Sequence, residues 1–249
     1  MWLGALVICD AAFEARVRAQ VGSRLAEALH ADAAIDRGDL ALVRGAFALD
    51  GLSIQRDDEV GHLAIRVARI DCALLPLGGG LFDRDCTELA LRGLRVEASS
   101  TAVFQQPRPR RAPLHAGRVA IDDAPLELAA IAVAPSLGRA VLSIQRAEAG
   151  ETVFKTPLSW LFALRALRAT VELSGGGTLQ LVYAAGELQV SGGVFGAQPI
   201  ALAVTPPAAD PADDGPAETR RLVAFGKDVA QRLIARKAAA WLTSKLAPP

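Results

Sequence analysis

Apolar and polar residues alternate with a period of two over most of the chain, from about residue 39 to residue 205. Leu63, Ile65 and Val67, for example, alternate with small or charged residues. Turn-forming clusters, such as those at 122–125 and 185–187, separate the runs, and short strands about 8 to 12 residues apart are typical of an antiparallel all-β fold. One apolar and one mixed face on each strand predict a sheet with a single apolar side. The alternation recurs at Leu89 and Leu91, Leu126 and Leu128, Leu179 and Leu181, Leu188 and Val190, and Leu202 and Val204.

Three segments depart from this alternation and favour helices. Residues 10–31 place apolar side chains four positions apart, which is the spacing of one helical face. Residues 157–167 form a nearly continuous apolar run, and Pro157 suits a first helical turn, so we expect a short buried helix on the apolar side of the sheet. A third helix is predicted at 217–246. Its apolar stripe consists of Leu222, Phe225, Val229, Leu233, Ile234, Trp241 and Leu242.

These elements divide the chain into four parts. Residues 1–31 hold the N-terminal amphipathic helix, and 32–205 hold the β domain. Residues 206–216 are acidic, rich in proline and without an apolar period, which predicts a linker. Residues 217–249 contain the C-terminal helix.

The start of the chain is apolar from residue 1 to residue 8, and Cys9 follows. Eight residues cannot span a bilayer, which takes about 20, and no Lys or Arg precedes them as in a signal peptide. One interpretation is the remnant of a membrane anchor, and another is an apolar first turn of the following helix. A lipoprotein-like Cys9 is a third, although Ile8 is bulky where a small residue is needed.

Two similar octapeptides, 47–54 and 89–96, each contain a glycine at which the alternation slips by one position. A β-bulge at Gly51 and at Gly93 would add one residue, bend the strand and restore the same facing. Two such bulges predict a strongly curved sheet that forms an open trough. Two strands joined by a tight turn at each glycine would explain the same pattern.

Three cysteines are present, Cys9, Cys72 and Cys86, and none forms a C-x-x-C pair, so zinc-site and thioredoxin-type chemistry have no support. If the glycines at 78–80 turn a hairpin near residue 79, Cys72 and Cys86 face each other across it. A cross-strand disulfide is then expected in an oxidising compartment. Two ordinary buried thiols are the alternative.

Charge is balanced overall but unevenly distributed. Lys and Arg total 27, as do Asp and Glu, so the formal net charge is zero. Seven basic and two acidic side chains nevertheless give the predicted C-terminal helix a net charge of +5. Such a helix either docks on its own sheet with solvated arginines, or lies on an anionic membrane or in a partner's groove. The basic, proline-rich segment at 99–116 favours a solvated loop, with a patch for anionic lipid headgroups as the other interpretation.

Composition narrows the class of protein. Hydrophobic residues make up 51% of the chain, 49 residues are Ala, and the mean hydropathy is +0.28. An apolar fraction this high excludes a disordered chain, and the absence of a basic excess argues against nucleic acid as a partner. No run of about 18 apolar residues encodes a complete transmembrane helix.

Motifs with catalytic or metal-binding chemistry are missing from the sequence. It contains no nucleophile elbow, zinc-protease motif or phosphate-binding loop. The histidines His30, His62 and His115 are isolated, and none has a metal-ligand partner at helical spacing. We therefore expect no metal, no cofactor and no enzymatic activity.

The strand pattern over residues 40–98, with its paired glycines and alternating leucines, resembles the N-terminal region of AsmA-like proteins of the bacterial envelope. Residues 173–193 are similar in style, so that the resemblance covers about 40–205. It implies a curved antiparallel sheet with an apolar trough, anchored at the inner membrane and linked to phospholipid transport, similar in plan to chorein-type bridge-like lipid-transfer proteins. About ten strands spaced about 4.8 Å apart give a trough of roughly 50 Å, which is too short to cross a periplasm alone.

The leading hypothesis is an envelope protein on the periplasmic side of the inner membrane that binds phospholipid or another acyl lipid in its trough. The alternative is a scaffold or assembly factor whose C-terminal helix docks on the membrane or on other envelope proteins. For the first, the expected lipid contacts are Leu63, Ile65, Val67, Leu89, Leu91, Leu126, Leu128, Leu179, Leu181, Leu188, Val190 and Leu202. For the second, the expected contacts are Arg220, Arg221, Leu222, Val229, Arg232, Leu233, Arg236, Lys237 and Trp241.

Overall fold

The structure, a computed structural model, describes residues 31–41, 46–58, 61–74, 85–99, 114–129, 140–156, 158–173 and 177–246, with seven residues between 15 and 26. The strands are β1 (Asp32–Ala41), β2 (Ala46–Asp58), β3 (Gly61–Leu74), β4 (Asp85–Ser99), β5 (Leu114–Ala116), β6 (Val119–Ala129), β7 (Ala140–Ala149), β8 (Thr152–Phe154), β9 (Leu164–Leu173), β10 (Gly177–Ala184), β11 (Glu187–Gly192) and β12 (Gly196–Ala203). Two 3₁₀ helices, η1 (Ser159–Ala163) and η2 (Gly193–Phe195), and one long α-helix, α1 (Gly215–Leu246), accompany them.

All of these strands belong to one open sheet. Ten follow a single path in the order β1-β2-β3-β4-β6-β7-β9-β10-β11-β12, and β5 joins β4 to β8 beside it. Neighbours on the path are antiparallel except β4 and β6, which run parallel. The predicted mainly-β fold, with its open antiparallel sheet and C-terminal helix, is confirmed.

A line of unusual backbone conformation, here called the crease, crosses the first six strands of the path. The strands keep the same register on both of its sides, since Asp50 pairs with Arg69 and Leu52 with Val67. Three of the six residues of the crease have a positive φ, namely 67° at Gly51, 60° at Gly93 and 53° at Asp123. The crease consists of Asp36, Gly51, Ala68, Gly93, Asp123 and Gln145, one residue from each strand.

The crease changes which positions of each strand are buried. In β3, Leu63 and Val67 are buried before Ala68, and Cys72 is buried after it, so the buried positions change from odd to even numbers. Because all six strands change at the same level, their apolar side chains stay on one side of the sheet without any shift in pairing.

Both explanations of the glycine pattern were therefore wrong. Gly51 and Gly93 lie inside continuous strands and mark neither a tight turn nor a bulge, because pairing continues through them in register. Glycine is favoured at both positions, because φ is positive there and residues with a side chain rarely adopt such values. Space is also short: a Cβ at Gly93 would lie 2.8 Å from the Cβ of Ala68, and one at Gly51 would collide with the Asp36 carboxylate.

The crease ends between β7 and β9. There the register shifts between Ile144 and Arg146, so that Gln145 is the extra residue of a β-bulge. On β9, Leu167 and the buried Ala169 belong to the same apolar cluster, so the alternation of this strand continues past the level of the crease. The bulge thus joins a creased part of the sheet to an uncreased one.

Several predicted boundaries change in the structure. The helix expected at 157–167 is only the 3₁₀ helix η1, because Leu164 and Leu167 already belong to β9. Its Trp160 is buried in a cluster of apolar side chains from the strands, so the expected packing on the apolar side of the sheet is confirmed. Residues 122–125 do not form a turn but lie inside β6, where the crease gives Asp123 its positive φ.

Other predicted segments differ or lie outside the described residues. Residues 185–186 do form a two-residue hairpin turn, with positive φ at both positions. The loop expected at 99–116 ends in strand β5 at 114–116, because these residues pair with β4 and β8, while 100–113 lie outside the description. The apolar segment at 1–8, Cys9 and most of the helix predicted at 10–31 also lie outside it.

Helix α1 begins two residues earlier than its pattern predicted. Asp214 is its N-cap, with Oδ1 accepting a hydrogen bond of 2.9 Å from the backbone N–H of Ala217. Pro216 fits the first turn, where no intrahelical N–H bond is needed. The helix therefore starts at Gly215, directly after the capping aspartate.

Candidate binding face

The apolar side chains of the sheet gather on one side, which we call the inner face. A central cluster surrounds Val119, Ile121 and Ile144, a second surrounds Leu52, and a third surrounds Val190. The clusters form a continuous face because they share partly buried members. Ile70, Leu91 and Leu94 pack against the central and second clusters, and Leu164, Leu167 and Leu181 against the central and third.

The structure brings the predicted lipid-contacting residues together on this face. Of the twelve, nine belong to the three clusters or pack against them. Leu128 lies on β6, but its side chain is outside the described part. Leu63, Val67, Leu89, Val190 and Leu202 are buried, and Ile65, Leu91, Leu126, Leu179, Leu181 and Leu188 are partly buried.

Sequence reasoning missed the inner-face residues that follow the crease. Leu52 and Ile54 are buried on β2, and Leu94 packs beside them from β4. The signal was present, since the alternation slips at Gly51 and Gly93 in the sequence. A bulge at each glycine already predicted the same facing on both sides, but the residues after the glycines were not included among the expected lipid contacts.

A disulfide joins Cys72 of β3 to Cys86 of β4 within the central cluster. The alternative of two free thiols is thereby excluded. The predicted pairing geometry was wrong, however, because Cys72 pairs with Leu89 and Cys86 with Leu74, after a register shift at the end of β3. The bond is therefore diagonal between the strands, with its two Cα atoms 5.5 Å apart.

Helix α1 covers the β10–β12 end of the inner face. Its Phe225, Val229 and Leu233 pack against the cluster around Val190. Arg232 donates a 2.7 Å hydrogen bond to the carbonyl oxygen of Ala203 on β12. Of the two interpretations of the C-terminal helix, docking on its own sheet is thus realised by this side of α1.

The residues predicted to dock a membrane or partner consequently separate into two groups. Val229 and Leu233 are buried against the sheet, and Arg221, Arg232 and Lys237 bond to the chain itself. Leu222 is partly buried. Arg220, Arg236 and Trp241 are exposed.

The start of α1 is held by polar contacts that the sequence did not predict. Glu218 is buried, and its carboxylate accepts hydrogen bonds from the hydroxyls of Ser159, at 2.7 Å, and Thr156, at 3.4 Å. The Lys155 ammonium donates to the carbonyl oxygens of residues 210, 211 and 213. We call these contacts the clasp. They tie the end of the predicted linker and the start of α1 to residues 155–159.

Arg221 extends the clasp. Its guanidinium donates to the Asp213 carboxylate and to the Ala208 carbonyl oxygen, and lies 5.8 Å from the centre of the Phe162 ring. The hydrogen bond to Asp213 raises the pKa of Arg221 above its usual value. Arg221 therefore stays charged and helps to hold the start of α1 in place.

The face of the sheet opposite the inner face, here called the outer face, is polar, and ion pairs run across its strands. Arg69 of β3 lies 3.1 Å from Asp50 of β2 and 2.8 Å from Asp71 on its own strand, and Asp71 is 3.9 Å from Arg92 of β4. The hydrogen bond to Asp71 raises the pKa of Arg69. These side chains border a shallow cleft of about 570 Å³, floored by Ala46, Ala48, Ala73 and Ala90.

A second row of ion pairs continues across β4, β6 and β7. Arg118 lies 3.9 Å from Glu88 and 3.2 Å from Glu148, which also pairs with Arg146 at 2.6 Å. The hydrogen bond from Arg146 lowers the pKa of Glu148. The charges in these two rows are therefore paired with one another across the strands.

Comparisons with known proteins find no match. No family model, curated protein or solved structure is similar to the chain.

Two further searches concern only the described part of the chain. Within it, no three His, Cys, Asp or Glu residues are grouped as ligands for a metal ion. None of its helices has the length and apolar character needed to cross a membrane.

Proposed function

We propose that this chain is a non-enzymatic, AsmA-like protein of the bacterial cell envelope that binds phospholipid or another acyl lipid on its inner face. The observation that carries the proposal is the continuity of this face, to which all ten strands of the path contribute apolar side chains. The three clusters share members and form one apolar surface. Because α1 covers its β10–β12 end, a bound chain would lie on the rest of the face, which is formed by the strands before β10.

The chemistry of the inner face suits acyl chains. Leu91, Leu126 and Leu181 are aliphatic and only partly buried, so they keep surface that a ligand can cover. Burial of each methylene group of a lipid contributes about 0.8 kcal/mol. An acyl chain of ordinary length can therefore gain several kcal/mol without any specific polar contact.

The disulfide supports the proposed location. Cys72 and Cys86 are joined, and such bonds persist in oxidising compartments, which include the bacterial periplasm. We place the protein on the periplasmic side of the inner membrane, which would supply its lipid. Other envelope proteins would then be its further partners.

Lipid extraction from the purified full chain, followed by mass spectrometry, tests the proposal. We expect phospholipid to co-purify and its molar ratio to fall several-fold in Leu91→Trp, because a larger side chain fills the inner face. The matched control is Ala90→Trp, one residue away on the opposite face above the cleft.

Circular dichroism should report the same strand content for both variants before their lipid content is compared. Protein free of lipid, or an equal loss of lipid in both variants, would contradict the proposal.

A further inference from the structure

Large exposed apolar side chains concentrate at one end of the molecule. Among the described residues, Val194 is 72% exposed, Ile234 is 63% exposed and Trp241 is 58% exposed. The first lies on η2, and the other two lie on the second half of α1. Lys237 of α1 donates a 2.9 Å hydrogen bond to the carbonyl oxygen of Phe195, which seats η2 beside this part of the helix.

The exposed residues of α1 form a line that faces away from the sheet. Lys227, Ile234 and Trp241 are seven residues apart, so each lies almost directly two turns beyond the one before it. Val229 and Leu233 point to the sheet, where they are buried. The helix is thus apolar on two sides, and only one of them is used in folding.

The charge around this end of the molecule is entirely basic. Residues 188–209, which include η2, contain no charged side chain, and 229–249 contain four basic residues and no acidic one. The preceding carboxylate, Asp228, lies 3.5 Å from Arg232 and is paired with it. An exposed tryptophan with aliphatic neighbours and uncompensated Lys and Arg is the composition of an interfacial helix surface.

We propose that this end of the molecule, the patch of Val194, Ile234 and Trp241 with Lys227 and Lys237 beside it, docks on an anionic lipid bilayer. The apolar side chains enter the headgroup region, and the basic ones bind the lipid phosphates. The docking surface is not the stripe of Leu222, Val229 and Leu233 expected from the sequence, because the sheet occupies that side. The inference does not depend on lipid binding by the inner face.

Flotation of the full chain with vesicles tests this docking. We expect binding to vesicles of phosphatidylcholine with 30 mol% phosphatidylglycerol, and binding to vesicles of phosphatidylcholine alone that is weaker by about tenfold or more. Since each basic residue near such a surface contributes about fivefold in affinity, Lys227→Glu should weaken binding at least about fivefold. Ile234→Ser with Trp241→Ser should weaken it at least about tenfold.

Matched variants elsewhere on the surface separate docking from general effects. Arg95→Glu with Arg168→Glu reverses two exposed charges on strands, and Val182→Ser removes an exposed apolar residue of β10. Both controls should bind anionic vesicles as the unchanged protein does. Absence of vesicle binding, equal binding to neutral vesicles, or equal losses in patch and control variants would overturn the proposal.

Discussion

The two parts of the sheet keep their apolar side chains on one face by different means. In β1–β7, the crease switches the buried positions between odd and even numbers in all six path strands at the same level. In β9–β12, helix α1 packs on the inner face, and the clasp fixes the start of that helix. We call these parts the creased half and the covered half.

The comparison shows what each solution requires of the sequence. The creased half favours glycine at Gly51 and Gly93, because a positive φ is costly for other residues and a Cβ would be crowded at both positions. It also carries the disulfide and the rows of ion pairs. The covered half depends on side chains far apart in sequence, since Ser159 and Glu218 must meet. One half is thus specified by local backbone conformation, and the other by long-range packing.

The largest effect is expected in the creased half, from loss of the disulfide. Replacing both Cys72 and Cys86 with Ser should lower the free energy of unfolding by about 3 kcal/mol, the value for a closed loop of about 15 residues. Urea unfolding measures this change. Reductant should lower the stability of the unchanged protein similarly and leave the double variant unaffected. Equal unfolding midpoints with and without reductant would contradict a stabilising disulfide.

Removal of one crease glycine should have the next largest effect. We expect Gly93→Ala to lower the free energy of unfolding by about 2 kcal/mol, because a left-handed conformation costs an L-residue about 1 to 2 kcal/mol and the new Cβ would crowd Ala68. Gly226→Ala is the matched control, since no atom lies within 4 Å of its Cβ position in α1. That change should raise the stability by about 0.5 to 1 kcal/mol. If Gly93→Ala leaves the free energy of unfolding unchanged, the crease does not require glycine at this position.

In the covered half, disruption of the clasp should have a smaller effect on the free energy of unfolding. Glu218→Ala leaves the buried hydroxyls of Thr156 and Ser159 without their acceptor, so the free energy of unfolding should fall by roughly 1 to 2 kcal/mol. Proteolysis near the start of α1 should become faster, because the helix loses its hold on η1. Glu172→Ala, an exposed carboxylate of β9, should change neither measurement. If Glu218→Ala and Glu172→Ala change stability and proteolysis equally, the clasp does not hold the start of α1.

The smallest effect concerns the ion pairs of the outer face. Arg146 lowers the pKa of Glu148, so the ionised carboxylate stabilises the folded chain above the unfolded-state pKa. This contribution is lost as the pH falls through the lower pKa of the folded state. Unfolding midpoints of Glu148→Gln and the unchanged protein should therefore differ slightly at pH 7, and the difference should shrink as the pH is lowered below the usual pKa of glutamate. A difference that does not shrink on acidification would indicate a role other than charge.

The sequence predicts the class of the fold because alternation of apolar residues is a local signal. Leu63, Ile65 and Val67, or Leu179 and Leu181, reveal strands and their apolar side without any knowledge of their neighbours. The same signal could not distinguish a crease from a bulge at Gly51. That distinction depends on whether the adjacent strand changes at the same level, which is a property of strand pairing.

The candidate surfaces follow the same division. Members of the inner face such as Leu89 and Val190 were recognisable from their strands. Helical periodicity placed Leu233 and Ile234 in one stripe, whereas the structure buries the first and exposes the second. Which side of α1 meets the sheet depends on the clasp, whose members Lys155 and Glu218 carry no sequence signal of their contacts.

The most direct test of the central claim is a scan of β4 with a photo-crosslinking amino acid in cells, followed by identification of crosslinked lipid. Leu89 and Leu91, before Gly93, and Leu94, after it, pack in the apolar clusters, and position 96 lies on the same side as 94 by alternation. The account predicts lipid adducts at these four positions and none at 90, 92, 95 and 97. Adducts that follow one alternation along the whole strand, or that are absent from every position, would contradict it.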